Sequence, residues 1–357
     1  MNRIDAFLEL AVNQGGSDLH LVSGQAPRIR IHGNLQPVRF RELSEQDVRD
    51  FLNEFMTDDH RRQLDERCAV DFAYECETAG RFRVNVYLHT GGIAAAMRRI
   101  SSQVPPLETL GLPAVVQQVL AVGKGLVLVT GPTGSGKSTT LAGMIDHLNR
   151  TRRGHILTIE DPIEYVHEFQ QSVITQREIG RDAPSFAEAL RASVREDPDV
   201  ILVGEMRDLE TMSLALTAAE TGIFVLGTLH TNGAVRSVDR IINVFPPRRQ
   251  DQIRTMLSDS LRLVVAQQLV RKTDQTGRMV AAEVLVNTTA VSAMIRQGNT
   301  HKLPSAIQAG GRVGMQSLDA QLEDMVRREL ITGEEAYEHS VDRTRFERHI
   351  NGTEQAA

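Results

Sequence analysis

Apolar and polar positions along the chain change period several times, and each change marks an element. Residues 2–14 carry Ile4, Phe7, Leu8 and Ala11 at helical spacing, which predicts an amphipathic helix closed by Gly15-Gly16-Ser17. Ser17–Leu21 and Arg28–His32 alternate as strands do, with a turn at Gly33-Asn34. From Leu43 to Leu64 the period is helical again, with Ser44 as N-cap and Val48, Phe51, Leu52 and Phe55 as the stripe. Val70–Tyr74, Arg81–His89 and Ile93–Ile100 read as three further strands. Residues 1–100 therefore form an α+β unit. Residues 101–112, with Pro105-Pro106 and Gly111-Leu112-Pro113 at their end, read as a linker.

From 113 to 357 short apolar runs alternate with helical patterns, which predicts a mostly parallel sheet flanked by helices. The candidate strands are 125–130, 155–159, 200–204 and 223–228. Residues 250–271 read as one long helix, with Ile253, Met256, Leu257, Leu261, Val264 and Val265 on one face. The stretch 287–348 is helical in pattern, broken near Gly310-Gly311 and Gly333, and 351–357 read as a disordered end.

Composition narrows the class. A chain of 357 residues, 41% hydrophobic and 24% charged, is globular and too long for one ordinary domain. A net charge of −6 gives no general attraction to nucleic acid or to an anionic membrane. Cys68 and Cys76 fit neither a metal knuckle nor a redox pair and read as ordinary thiols of a reducing compartment. The amino terminus carries Arg3, Asp5 and Glu9 within its helical pattern, so it is no signal peptide, and no apolar run reaches transmembrane length. These features lead us to expect a soluble, cytoplasmic protein.

The chemistry centres on Gly131-Pro132-Thr133-Gly134-Ser135-Gly136-Lys137-Ser138-Thr139, which fits the phosphate-loop pattern G-x-x-x-x-G-K-[ST]. A strand-length apolar run precedes it, and Leu141, Met144, Ile145 and Leu148 follow at helical spacing. Glycines let such a loop curl its N–H groups onto an anion, and the helix start adds positive potential. Pro132 through Thr139 are the candidate nucleotide contacts. Lys137 would reach the terminal phosphates and Ser138 would ligate Mg²⁺.

Three polar clusters follow, each just past a predicted strand, where ligands of parallel sheets sit. Thr158–Glu164 holds Glu160, Asp161 and Glu164, with Glu160 a candidate metal ligand and Glu164 a candidate catalytic acid. Asp197–Asp208 delivers Glu205 at the end of an apolar run, placed to contact the metal and to orient or deprotonate the attacking water. Gly227–Asn232 carries His230, suited to sensing a γ-phosphate. Arginines stabilise the charge that develops in phosphoryl transfer. Arg191 and Arg195, four apart, are expected to share a helix face, and Arg81, Arg83, Arg98 and Arg99 come from the first unit. Of these last, Arg83 and Arg98 are the catalytic candidates.

With these residues in view, the chain resembles the secretion-type (type II/IV secretion) ATPases, and within them the PilT-type retraction motors of type IV pili. GPTGSGKST at 131–139 looks like the family's Walker A, TIEDPIE at 158–164 its Asp box, DPDVILVGEMRD at 197–208 its Walker B and GTLHTN at 227–232 its His box. SDLHL at 17–21, GRFRVN at 80–85 and HKLPSAIQAGGRVGMQSLD at 301–319 are similar to its terminal regions. Ala290–Gln297 aligns with a retraction-associated segment but departs from it at several positions. The resemblance implies an α/β fold: a RecA-like P-loop ATPase domain preceded by a smaller α+β PAS-like domain. It implies ATP and Mg²⁺ as ligands, a homo-hexameric ring, nucleotide held between the domains, and an inner-membrane platform protein reached from the cytoplasmic face. Contact with the membrane would be through that partner only, and no nucleic acid is implied. Extension and secretion relatives usually carry a four-cysteine zinc motif, which two cysteines cannot supply. An accessory pilus ATPase, a RecA-like nucleic-acid translocase and a nucleotide-dependent switch remain alternatives. The translocase lacks basic bias and, at 4% aromatic content, stacking platforms.

Overall fold

The structure, a computed structural model, describes residues 2–31, 33–100, 103–347 and 349. His32, the first two residues of the expected linker and the expected disordered end at 351–357 lie outside the described residues. The chain forms two units: Met1–Gln103 with Pro162–Val166, and Val104–Asp161 with His167–Ala357.

The first unit runs α1 (Arg3–Asn13), β1 (Asp18–Val22), β2 (Arg28–Ile31), β3 (Asn34–Pro37), α2 (Glu45–Asn53), α3 (Asp58–Arg67), β4 (Ala69–Cys76), β5 (Gly80–His89) and β6 (Gly92–Arg99). Its strands make one antiparallel sheet in the order β3-β2-β1-β6-β5-β4. Alternation along β5 sends Phe82, Val84 and Val86 into the core with Ile4, Leu8, Phe51 and Leu52, and leaves Arg81, Arg83 and Asn85 on the opposite face. The helix expected over 43–64 is two helices. Thr57 starts a new one, its hydroxyl accepting from the His60 N–H at 3.2 Å, and the turn before it lets Phe55 lie 4.4 Å from the Tyr74 ring.

The second unit runs α4 (Val115–Val122), β7 (Gly125–Thr130), α5 (Lys137–Thr151), β8 (His155–Glu160), β9 (Val173–Glu178), α6 (Phe186–Ser193), β10 (Val200–Val203), α7 (Leu209–Glu220), β11 (Phe224–Leu229), α8 (Ala234–Asn243), α9 (Pro247–Ser260), β12 (Leu261–Arg271), β13 (Arg278–Val286), α10 (Thr289–Arg296), α11 (Leu303–Ala309), α12 (Leu318–Arg327) and α13 (Gly333–His339). The sheet order is β13-β12-β7-β11-β10-β8-β9, parallel except for β13. Apolar layers cover both of its faces, one containing Leu126 and Leu128 and the other Val127 and Val129, so β7 is buried throughout.

The single helix expected over 250–271 is a correction. The helix stops at Ser260, and Leu261–Arg271 is a strand pairing with β7 and β13. The strand is covered on both faces, so its apolar run Leu263–Ala266 does not alternate, and with Leu261 it also satisfies a helical template. The periodicity likewise predicts neither β9 nor β13, while the break expected near Gly333 is the gap between α12, which ends at Arg327, and α13, which starts at Gly333.

In the first unit Tyr74 ties β4 to α1: its hydroxyl donates to Asp5 at 2.6 Å and accepts from the Asn2 side chain at 2.9 Å. Burial, helped by the Asp5 carboxylate, pushes the phenol up to about 12. A raised folded-state value means that this stabilisation is complete below the free phenol's range and is lost as pH rises through about 12. Tyr74→Phe should cost about 1 kcal/mol at pH 7. The gap from wild type in urea unfolding should then close as pH climbs past 10.

Candidate active site

Parallel pairing sets the carboxyl ends of β7, β11, β10 and β8 side by side. Backbone bonds lock these ends: Gly204 N–H donates to Ile159 at 2.8 Å, Met206 N–H to Thr228 at 3.0 Å, and Gly131 N–H to Leu229 at 3.3 Å. The Thr228 hydroxyl adds a bond to the Gly204 carbonyl at 2.5 Å. Gly204 suits this spot because a Cβ would lie 3.0 Å from the Ile159 carbonyl. Four segments are thereby gathered along one edge of the sheet: residues 131–136, 160–161, 204–208 and 230–233.

The first turn leads straight into α5. Gly136, at φ 85°, is the residue before the helix, and no side chain caps that end. Its first N–H groups therefore remain donors for an anion, reinforced by the helix dipole. Pro132, Thr133 and Gly134 form the exposed crest, Ser135 is buried, and Lys137, Ser138 and Thr139 are half-buried in the first helical turn. The Lys137 ammonium donates to the carbonyls of Gly131 and Pro132, each at 2.9 Å, and so arches over the loop.

Past β10, Glu205 is mostly enclosed. Its carboxylate meets the Arg207 guanidinium at 2.5 Å and His230 Nε2 at 3.1 Å. Burial works to raise its pKa, but Arg207 and then His230 outweigh burial and hold the carboxyl below the usual range. The chain then turns into α7 because Asp208 accepts from the Thr211 N–H at 2.8 Å. At the end of β8, Glu160 accepts from the Thr158 hydroxyl at 2.7 Å and from Gln176 at 3.2 Å.

The other candidates lie in different settings. Glu164 is in the segment that belongs to the first unit, 3.8 Å from Arg83. Arg83 also grips Asp71 through two nitrogens, with Nη2 at 2.5 Å. Arg98 lies opposite Arg83 in register and bonds Asp18 at 2.8 Å. Arg191 is in a surface network with Glu188 and Glu210. Arg195 requires a correction: α6 ends at Ser193, so it shares no helix face with Arg191. Asp197 at φ 52° then redirects the chain into β10.

Two contributors were missed from sequence. Glu283 on β13 accepts from the Ala234 N–H at 2.7 Å and so caps α8, just past His230. Its signal was a lone carboxylate within an apolar run, 280–286. Ser237 bonds both Thr130 at 3.2 Å and Thr231 at 2.7 Å, tying β7 to the turn that carries His230.

The family described as "Type II/IV secretion system protein" matches residues 1–356. A protein of Pseudomonas aeruginosa named "Type IV pilus retractation ATPase PilT" is 48% identical over 94% of this chain and 97% of its own. A "Twitching motility protein" of Neisseria gonorrhoeae is 47% identical over 87% of this chain and 83% of its own. Among solved structures, one described as "Crystal Structure of the Pilus Retraction Motor PilT and Bound ADP" superposes with a TM-score of 0.90. It is 44% identical and covers 98% of this chain and 100% of its own.

Lys137→Ala should reduce nucleotide turnover on the order of 10²-fold or more, because it removes the only charge built into the loop. Circular dichroism should remain that of wild type. Glu205→Gln should keep nucleotide binding and slow turnover by about 10²–10⁴-fold, the range for loss of a positioned base. Because Glu205 is held below the ordinary carboxyl range, the acid limb that it sets on turnover should appear only below pH 4.5, as the carboxylate takes up a proton. Steady-state kinetics across pH checks both points.

Proposed function

The chain belongs to the type II/IV secretion system protein family, and on that premise we propose that it is a motor ATPase that drives type IV pilus retraction and twitching motility. The observation that carries this reading is the extent of the similarity. It runs through both units rather than stopping at the nucleotide-binding turns. The protein is an ATPase. Lys137 and the N–H groups of 134–139 hold the phosphates, and Glu205 orients the water that attacks the γ-phosphate. His230, against Glu205, reports whether that phosphate is present.

Ser138, Glu160 and Glu205 offer only oxygen donors, a set suited to a hard cation, so these residues would hold Mg²⁺. When bound, Mg²⁺ neutralises phosphate charge. Arg83 and Arg98 take part in turnover only by leaving Asp71 and Asp18, which makes their release a step that a ligand must drive. The family resemblance supports a homo-hexamer working on an inner-membrane platform protein from the cytoplasmic face. Among the described residues, no helix is long and apolar enough to cross a membrane.

Deletion of the gene should leave cells with excess surface pili and no twitching, scored by electron microscopy and surface spreading. Complementation with the Glu205→Gln form should fail. Normal twitching after deletion would overturn the retraction role and assign an accessory one.

A further inference from the structure

Strand β12 runs beside β7, and its register places Ala266 opposite Thr130, so Gln267 arrives level with Gly131, where the phosphate loop begins. Gln267 is 1% exposed. Its backbone carbonyl lies so close to the loop that a Cβ on Gly131 would sit 2.3 Å away. Its side-chain Nε2 donates at 2.7 Å to the carbonyl of Ser135, near the other end of the same loop. One residue of a neighbouring strand thus touches both ends of the turn.

The amide is used at one end only. Among the described residues its Oε1 is buried with no hydrogen-bond partner. Burying an amide is costly, and an apolar side chain of the same length would fill the space without that penalty. Its polar contribution is therefore to the Ser135 carbonyl alone. A trans peptide holds its C=O and N–H on opposite sides. Turning the Ser135 carbonyl onto Gln267 therefore turns the Gly136 N–H the opposite way, away from Gln267. Gly136, at φ 85°, is also the residue on which α5 begins.

We infer that Gln267 is a positioning residue for nucleotide binding: through the Ser135 carbonyl it aims the Gly136 N–H at the phosphate. This rests on the nucleotide-binding reading of the loop. The N–H contacts phosphate in the substrate and the transition state alike, so the effect belongs to binding more than to the chemical step.

The test uses the full-length protein with a fluorescent ADP analogue and steady-state ATP hydrolysis. Gln267→Met keeps length and loses the donor. It should raise KM and the ADP Kd about tenfold, the cost of one hydrogen bond to a charged group, with kcat within about twofold. Gln267→Glu adds a readout that a packing role would not move. A buried carboxyl gains a proton readily and in that form donates to Ser135. Its affinity relative to wild type should therefore be poor at pH 8 and recover toward pH 6. Wild-type KM in the Met variant would overturn the inference, and so would a pH-independent loss in the Glu variant. Failure of both variants to fold would also overturn it, since packing alone would then explain the residue. Lys137→Ala separates the two readings. If it loses turnover while Gln267→Met behaves as wild type, only this inference falls. If wild type itself neither binds nor hydrolyses nucleotide, the nucleotide reading falls with it.

Discussion

The structure depends on parallel pairing among β7, β11, β10 and β8. These strands are distant in sequence, yet pairing in one direction makes all of them end along one edge. Main-chain bonds between those ends, such as Gly204 to Ile159 and Met206 to Thr228, fix the turns to within a hydrogen bond's tolerance. No single turn has to hold its own geometry. Phosphoryl transfer asks for little covalent chemistry and much positioning, and this edge is a way to supply positioning from main chain.

Charge is arranged with the same economy. Burial alone would raise the Glu205 carboxyl, and Arg207 and then His230 outweigh burial and hold it below the usual range. Glu283 shows the opposite balance. It is more deeply enclosed, burial outweighs the single Ala234 N–H, and its carboxyl is pushed up. One carboxylate stays charged and available at an open turn, while the other holds a helix start beneath it. Their contrasting environments suit contrasting roles.

Much of this was legible in the sequence, for reasons that differ by element. Strand β7, the glycine-rich turn and α5 announce themselves because each has a local signature and the three are contiguous. The turns bearing Glu160, Glu205 and His230 stood out as polar runs at the ends of short apolar ones. What was lost is what depends on neighbours. Strand β12 is covered on both faces and imitates a helix. Arg195 was placed on α6 by spacing, but helix ends are set by local backbone turns such as that at Asp197. The bonds of Ser237 to Thr130 and Thr231 join residues that no window along the chain would bring together. The arginines of β5 and β6 were visible as a group, whereas their commitment to Asp71 and Asp18 follows from strand register.

The uncapped start of α5 ties occupancy to conformational free energy. Most other helices here begin on a Ser, Thr or Asp that satisfies the first donors internally, as at Thr57, Asp208 and Thr288. At Gly136 that satisfaction is left to whatever anion arrives. A ligand bound only by the folded protein adds about 2.7 kcal/mol of stability at a hundred times its Kd. The helix start that binds the phosphate is thus also the helix start whose donors the bound phosphate satisfies.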